Sequence, residues 1–297
     1  MQRQGIVMEL VLSTVINGLS LGGIYAIIAL GYTMVYGIAK MLNFAHGDVI
    51  MVGGYMIYVF MAVGNPLFAI FMAVIFCLIL GIFIEKIAYK PLRGASPLAV
   101  LITAIGVSYL LQSLAQIIFG SANKMVTVYD FGSVTFLGTN VQVSALVTLG
   151  VTIIVMVALT LFVKYTRIGR AMIAVSEDKG AAQLMGINVN GIITITFAIG
   201  SSLAALAGLF YLLKAPSISS TLGAIPGIKA FTAAVIGGIG SIPGAMLGGL
   251  LLGMVECISY KITAIAPYTD AIEFSILIII LLVRPTGFLG KKRREKV

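Results

Sequence analysis

The sequence predicts an all-α, polytopic membrane protein of about eight or nine transmembrane spans, some of them broken or re-entrant. Of its 297 residues, 60% are hydrophobic and only 10% are charged, whereas a soluble domain carries about 25% charged residues. The apolar residues form long uninterrupted runs of membrane-spanning length. Glycine, proline and polar residues interrupt several runs, which predicts broken helices within a single membrane domain covering residues 1–297.

The spans follow one another along the chain with little sequence between them. Residues 10–39 carry no charge, and at about 1.5 Å per residue they exceed the roughly 30 Å hydrocarbon core, so they form either one long tilted helix or a helix broken near Gly22–Gly23. Residues 230–240 are too short for an ordinary span and read as half of a discontinuous or re-entrant segment. The side of the N-terminus depends on these two segments and stays open. The remaining spans are predicted at 49–63, 67–84, 97–119, 141–163, 191–213, 243–260 and 270–283.

The net charge of +9 comes from separate basic clusters between the apolar runs. This distribution follows the positive-inside rule, so we place the clusters in the cytoplasm and the polar loop 120–140 outside. A nucleic-acid partner is not expected, because its recognition would need a continuous basic face. The clusters are Lys86, Lys90 and Arg93; Lys164, Arg167, Arg170 and Lys179; and Arg284, Lys291, Lys292, Arg293, Arg294 and Lys296 in the basic cytoplasmic tail 284–297.

No residue pattern points to a metal, a cofactor or catalysis. His46 is the only histidine, and Cys77 and Cys257 lie inside apolar runs as small hydrophobic residues. No nucleophile motif or readable carboxylate pair occurs, so we do not expect an enzyme.

Small residues recur four positions apart, which places them on one face of a helix and lets two helices approach closely. We expect them to pack helices within the chain; a substrate path or a subunit interface is the alternative. The sets are Gly18 and Gly22; Gly200, Ala204 and Gly208; Gly244 and Gly248; and Gly249 and Gly253.

Polar groups inside the spans are candidate functional residues, because burying them in a membrane is costly. The break at Asn43–Asp48 is expected to line a path or gate, since irregular backbone at membrane depth usually lines a cavity. Asn43 and Asp48 also read as caps of the following short helix. Glu256 lies in an apolar run, and for Gln112, Gln116 and Asn17 we expect hydrogen bonds between helices. The candidates for the path or gate are Asn43, His46, Gly47, Asp48, Gly237, Gly238 and Gly240.

The loop 164–191 is charged, amphipathic and too polar to span. Ser176 is expected to cap a short helix, with the acidic Glu177 and Asp178 favourably placed at its start. Ala181 and Ala182 follow, and Gly186 is expected to turn the chain out of the helix at a positive φ, which a residue with a Cβ disfavours.

The Ala181-Ala182-x-x-x-Gly186 pattern resembles the coupling-loop motif of ABC importer permeases, with Gly180 in the place of the usual Glu and Glu177 three residues earlier. Further motifs resemble the branched-chain amino acid permeases in particular, and the similarity runs from about Gly18 to Gly287. It is closest to the LivH-type subunit of the permease pair. The motifs are Leu42-Asn43-Phe44-Ala45-His46-Gly47, Lys90-Pro91-Leu92-Arg93, Ser96-Pro97-Leu98, Ile105-Gly106, Arg167-x-Gly169-Arg170-Ala171 and Gly237-Gly238-x-Gly240-Ser241-x-Pro243-Gly244.

This resemblance implies an ABC importer permease architecture in a bacterial or archaeal cytoplasmic membrane. The implied partners are a second, similar permease, two cytoplasmic ATP-binding subunits and an external substrate-binding protein. The coupling loop, with Glu177, Ala181, Ala182 and Gly186, is then expected to contact an ATPase rather than the core of the chain. The sequence has no Gly-x-x-x-x-Gly-Lys-Ser/Thr phosphate loop, so ATP hydrolysis is expected in another chain.

Two rival functions remain on the sequence alone. Within the same class, the chain would be a permease for urea, short amides, sugars or another small solute. In a different class, it would be a stand-alone secondary transporter or channel, which explains the spans and broken helices but not the coupling-type loop.

Overall fold

A computed structural model describes residues 2–136 and 139–290, and within them the fold is almost entirely helical. The helices are α1 (Gln2–Ala39), α2 (His46–Met61), α3 (Pro66–Ile84), α4 (Pro97–Phe119), α5 (Val143–Tyr165), α6 (Arg167–Glu177), α7 (Lys179–Leu184), α8 (Val189–Lys214), α9 (Ala224–Gly237), α10 (Ile242–Lys261) and α11 (Thr269–Val283). A π-helical turn at Glu85–Tyr89 and a 3₁₀ turn at Lys90–Leu92 extend α3, and a second 3₁₀ turn at Ala266–Tyr268 precedes α11.

Seven helical segments in the described chain are long and apolar enough to cross a membrane, and α2 and α9 are shorter apolar helices. The prediction of a polytopic helical protein with eight or nine spans and broken helices is confirmed. The first span is a single unbroken helix, so the predicted alternative of a break near Gly22–Gly23 is wrong. The short apolar run 230–240 falls mainly in α9, as the half-segment interpretation requires.

Helix α1 is the centre of the molecule and runs antiparallel to α10. Gly22 packs against Leu250 and Gly253, and near the other end of α1 Gly37 lies beside Gly240. The end of α1 at Ala39 adjoins α7, because Lys179 Nζ donates a hydrogen bond to the Ala39 carbonyl.

The described members of the three predicted basic clusters lie at this same end of the molecule, which we call the basic end. Arg93 is bonded to Asn190 at the start of α8, and the segment after Arg284 packs on the end of α9 through the Phe288 amide and the Ile236 carbonyl, 2.9 Å apart. The predicted tail residues Lys291, Lys292, Arg293, Arg294 and Lys296 lie outside the described residues.

Two small antiparallel sheets lie at the other end, which we call the opposite end. Strand β1 (Lys124–Met125) pairs with β4 (Ser217–Ile218), with Lys124 opposite Ile218. Strands β2 (Ser133–Phe136) and β3 (Thr139–Gln142) form a hairpin, with Ser133 opposite Gln142. The polar loop 120–140 therefore contains short strands, and one of them ties the loop to the chain that follows α8.

The half-length helices α2 and α9 start against each other and run to opposite ends. Gly47 in the first turn of α2 contacts the backbone of Gly223 and Gly227 at the start of α9. Helix α2 follows α4 toward the opposite end, since Tyr55 stacks on Phe119 with ring centroids 4.3 Å apart. Helix α9 ends at the basic end, beside the segment that follows α11.

The starting point of α2 is deep inside the helix bundle. The His46 ring lies directly against Gly31 of α1, eight residues before the end of that helix. At 1.5 Å per residue this is about 12 Å inward from the end of α1. The chain between α1 and α2 therefore re-enters the bundle before α2 begins, which confirms the predicted break in this region.

The small residues at four-residue spacing pack helices within the chain. Gly249 and Gly253 contact Ala26 and Gly22 of α1, and Gly208 of α8 contacts the Ile50 carbonyl of α2. Gly244 and Gly248 face Gly237 and Ala233 of α9 in the same way. In each case the neighbouring atom is backbone, so a larger side chain would separate the helices. The expectation of packing within one chain is confirmed.

We expect Gly223→Ala to destabilise the protein by about 1–3 kcal/mol or more, the range for overpacking a close contact. A Cβ at Gly223 would overlap the Gly47 carbonyl, which is backbone and cannot move aside as a side chain does. The measurement is the midpoint of thermal unfolding in detergent. The matched control is Gly150→Ala in α5, where a Cβ meets nothing within 4 Å, so stability should be unchanged or slightly higher. Equal midpoints for the two variants would contradict the close helix crossing.

Candidate translocation site

The break before α2 brings its predicted polar residues together inside the chain. Asn43, His46 and Asp48 are all buried. The Tyr89 hydroxyl donates a hydrogen bond of 2.8 Å to Asn43 Oδ1, and the His46 ring packs edge-on against Tyr32 with centroids 4.7 Å apart. Neither Asn43 nor Asp48 caps α2, because the N-cap is Ala45 and it makes no side-chain hydrogen bond. The predicted capping role is therefore wrong, and these polar groups bond to other helices instead.

Asp48 and the two glutamines of α4 show how polar groups are satisfied between helices. Gln112 Nε2 donates to Asp48 Oδ1 at 2.9 Å and to Ser108 Oγ at 3.3 Å. Gln116 Nε2 donates to Ser220 Oγ at 3.2 Å, just before α9. The expectation of interhelical hydrogen bonds is thus confirmed for Gln112 and Gln116. These bonds hold α4 against α2 and against the segment that leads into α9.

Asn17 has a different environment. It lines a polar cavity at the opposite end with about 450 Å³ of empty space, formed by α1, the start of α5 and the ends of α8 and α10. Its neighbours there include Ser20, Gln142 and Lys214.

A smaller cavity lies where the α1–α2 break faces α9. It is partly open, has room for about one water molecule, and is lined by Tyr32, Tyr36, Leu42, Asn43, Phe231, Ala234 and Ile239. Its walls are thus aromatic and aliphatic, with the Asn43 amide and two tyrosines as the polar members. Of the predicted path residues, only Asn43 lines this cavity; His46, Gly47, Asp48 and the glycines 237, 238 and 240 are not among its lining residues.

The predicted glycines 237, 238 and 240 turn the chain between α9 and α10. Gly237 packs against Gly244, and its carbonyl accepts a hydrogen bond of 2.9 Å from the Leu289 amide. Gly238 has a φ of 105° and Gly240 a φ of 93°, backbone conformations that favour glycine. The segment after α11 covers this turn, so Gly237 and Gly238 contact backbone and not open space.

A buried charge cluster that the sequence analysis missed anchors α9. Lys229 Nζ lies 3.1 Å from Glu256 of α10, 2.8 Å from Asp270 and 3.2 Å from Glu273 of α11. The Tyr25 hydroxyl of α1 donates a 2.6 Å hydrogen bond to Glu256. Only Glu256 was singled out in the sequence. The missed signal was Lys229 itself, a lone cation at the edge of an apolar run, which needs a buried partner.

The loop 164–191 folds into α6 and α7 at the basic end. Asp178, and not Ser176, caps α7: its Oδ1 accepts hydrogen bonds from the Gly180 and Ala181 amides at 2.9 and 3.0 Å. Ser176 lies in the last turn of α6, where its hydroxyl donates to the Ile173 carbonyl. Both residues favour a helix start, but α6 extends through Glu177, which leaves Asp178 at the N-cap of α7. Gly186 has the predicted positive φ, 80°.

The two faces of α7 differ in what they contact. Ala182 is 4% exposed and belongs to the hydrophobic core. The expectation that this loop contacts a partner rather than the core is therefore wrong for Ala182. Glu177 and Ala181 are exposed, and Leu184 and Met185 are 90% and 82% exposed. Two large apolar side chains beyond the basic end form a surface suited to a protein partner.

Half-length helices that start against each other inside a bundle of long apolar helices define a multi-pass membrane protein of the transporter class. The family model described as the branched-chain amino acid transport system / permease component matches residues 14–281, and the chain belongs to this family.

Individual relatives agree over almost the whole chain. The high-affinity branched-chain amino acid transport system permease protein BraD of Pseudomonas aeruginosa is 43% identical over 301 residues, covering 96% of this chain and 98% of BraD. The corresponding protein LivH of Escherichia coli is 42% identical over 302 residues, covering 96% of this chain and 97% of LivH. Among solved structures, PsaBC from Streptococcus pneumoniae in complex with Fab matches with a TM-score of 0.48 and 14% identity, covering 96% of this chain and 97% of that chain.

We expect Lys229→Met to destabilise the protein by about 3–5 kcal/mol, because it leaves Glu256 and Glu273 buried without their cation. Thermal unfolding in detergent measures this loss. The control is the triple variant Lys229→Met, Glu256→Gln, Glu273→Gln, which removes the buried carboxylates as well and should recover part of the stability. A single variant as stable as the wild type would show that the cluster does not anchor α9.

Proposed function

We propose that this chain is the membrane-spanning permease subunit of an ABC importer that moves branched-chain amino acids of the leucine, isoleucine and valine class across a bacterial or archaeal cytoplasmic membrane. The observation that carries the proposal is family membership over residues 14–281, together with similarity to BraD and LivH over nearly the full chain. Separate subunits hydrolyse the ATP, since the sequence lacks a phosphate loop.

The cavity between the α1–α2 break and α9 is proposed to be part of the translocation path. Asn43 lies on its wall, and His46, Gly47 and Asp48 are proposed to hold that wall in place. A branched-chain amino acid has a carboxylate, an ammonium group and an apolar tail. The mainly aromatic and aliphatic lining suits passing contact with the tail rather than tight binding. Selection of the substrate then falls to an external binding protein. In this proposal Gly237, Gly238 and Gly240 act as a turn that positions the cavity wall.

The proposed partners are a second, similar permease, two cytoplasmic ATP-binding subunits and the external binding protein. Leu184 and Met185 are the proposed contact with an ATPase subunit, since this pair of exposed apolar side chains lies on a charged loop outside the apolar spans, where it is suited to a protein contact. Glu177 and Ala181 lie on the exposed part of the same loop. Ala182 holds α7 on the chain, and Gly186 provides the turn after it. A stand-alone transporter or channel would need no such surface.

The basic end is proposed to face the cytoplasm and the opposite end to face outward. Met125 is exposed at the opposite end and Lys164 is exposed at the basic end, outside the proposed ATPase contact, so each is replaced by Cys in a background in which Cys77 and Cys257 are Ser. In intact cells, a membrane-impermeant thiol reagent should label Met125→Cys at once and Lys164→Cys only after lysis. The reverse labelling pattern would invert the orientation.

The function is tested by purifying the chain with its partner subunits and measuring ATP-driven uptake into proteoliposomes. We expect uptake of labelled leucine, competed by isoleucine and valine but not by urea or ribose.

The double variant Leu184→Ser, Met185→Ser should insert normally and lose its ATPase subunits during purification, because its apolar contact surface is gone. Ile168→Ser, Ile173→Ser is the matched control, since these side chains are also exposed in the same loop but lie outside the proposed contact. Uptake without ATP, or uptake of urea in place of leucine, would contradict the proposal.

A further inference from the structure

The end of α1 is joined to α7 by a side chain 140 positions away in sequence. Lys179 Nζ donates a 2.8 Å hydrogen bond to the Ala39 carbonyl, and Lys40 Nζ donates to the nearby Gly37 carbonyl. The last carbonyls of a helix have no partners within the helix, and positive charge is favoured there. The Lys179 ammonium therefore stabilises the end of α1 immediately before the chain turns back into the bundle.

The position of Lys179 in its own helix does not account for a cation. Lys179 is the first residue of α7, and the start of a helix disfavours positive charge. Burial, and secondarily the charge of Arg93, lower the pKa of the Lys179 ammonium. A partly desolvated ammonium needs a hydrogen-bond acceptor, and the Ala39 carbonyl supplies one. The hydrogen bond to the end of α1 is thus the interaction that stabilises the ammonium group at position 179.

Two segments lie near this contact, the turn after α3 and the residue that follows α1, and different features fix their conformation. On one side, Arg93 is bonded to Glu85 and Asn190, so the turn after α3 is fastened to the start of α8. On the other side, Lys40 has a φ of 61°, a left-handed conformation that is uncommon for a residue with a side chain. The reversal from α1 into the break therefore begins one residue after the carbonyl that Lys179 holds.

We propose that Lys179 is a positioning residue that transmits displacement of α7 to the α1–α2 break and hence to the cavity beside Asn43. The inference rests on the proposed function, because it takes α7 as the helix that an ATPase moves. The exposed Leu184 and Met185 lie at the end of α7, and Lys179 lies at its start. A force applied at the exposed end thus reaches α1 through the Lys179 ammonium.

The test compares Lys179→Met, Lys179→Arg and the wild type in the purified complex with its ATPase subunits. Met keeps most of the length of the side chain but donates no hydrogen bond, whereas Arg still donates. In Lys179→Met we expect the ATPase subunits to stay bound and ATP hydrolysis to continue. Uptake should fall about tenfold or more, as expected for losing one hydrogen bond to a charged group. Lys179→Arg should restore uptake, and Lys164→Met, an exposed lysine at the same end, should have no effect.

A second measurement needs no transported substrate. Leu42 lies in the break and lines the cavity, so Leu42→Cys is introduced in the background in which Cys77 and Cys257 are Ser. Its rate of reaction with a small thiol reagent should change when a non-hydrolysable ATP analogue is added, and the change should disappear in Lys179→Met. An equal change in both forms would overturn the inference, as would a parallel fall of uptake and hydrolysis. Failure of the proposed function is distinct, because it would appear in the wild-type complex as absence of ATP-driven uptake.

Discussion

The fold depends on burying two helix starts inside an apolar protein. Backbone N–H and C=O groups cannot be left unpaired within a membrane, so a helix can begin there only where other protein covers it. Helices α2 and α9 begin against each other at Gly47 and Gly223, and the longer helices α1, α8 and α10 surround them. The close contact of the two starts is possible because both residues lack a side chain.

Charge completes this arrangement in two separate places. Within the bundle, Lys229 joins α9 to α10 and α11 through three carboxylates, so the half-length helix is fixed laterally as well as at its start. At the basic end, Lys179 joins α7 to the end of α1, and Arg93 joins the turn after α3 to the start of α8. The first cluster stabilises the walls of the proposed path. The second connects that path to the surface proposed to contact an ATPase.

In the proposed coupling role, the exposed and buried faces of α7 have different tasks. Ala182 packs into the core, while Leu184 and Met185 extend beyond it. A short helix held on one face by its own chain and contacted on the other by a partner can transmit a displacement instead of absorbing it. This explains why a loop with a small buried alanine and a positive-φ glycine also carries large apolar side chains where water would otherwise surround them.

The sequence by itself determined the helical membrane class, most span positions and the break before α2, because span length and hydrophobicity are local properties of the chain. It also indicated the packing role of the small residues and the positive φ of Gly186. The structure showed that Asp178 rather than Ser176 caps α7, because α6 extends through Glu177. Only the tertiary structure decided that Ala182 faces inward and that Lys229 meets Glu256 and Glu273. Both depend on which helix lies alongside, and the neighbours come from distant parts of the chain. The physical reason is that hydrophobicity fixes whether a segment enters the membrane, whereas close packing and charge pairing fix which segments meet there.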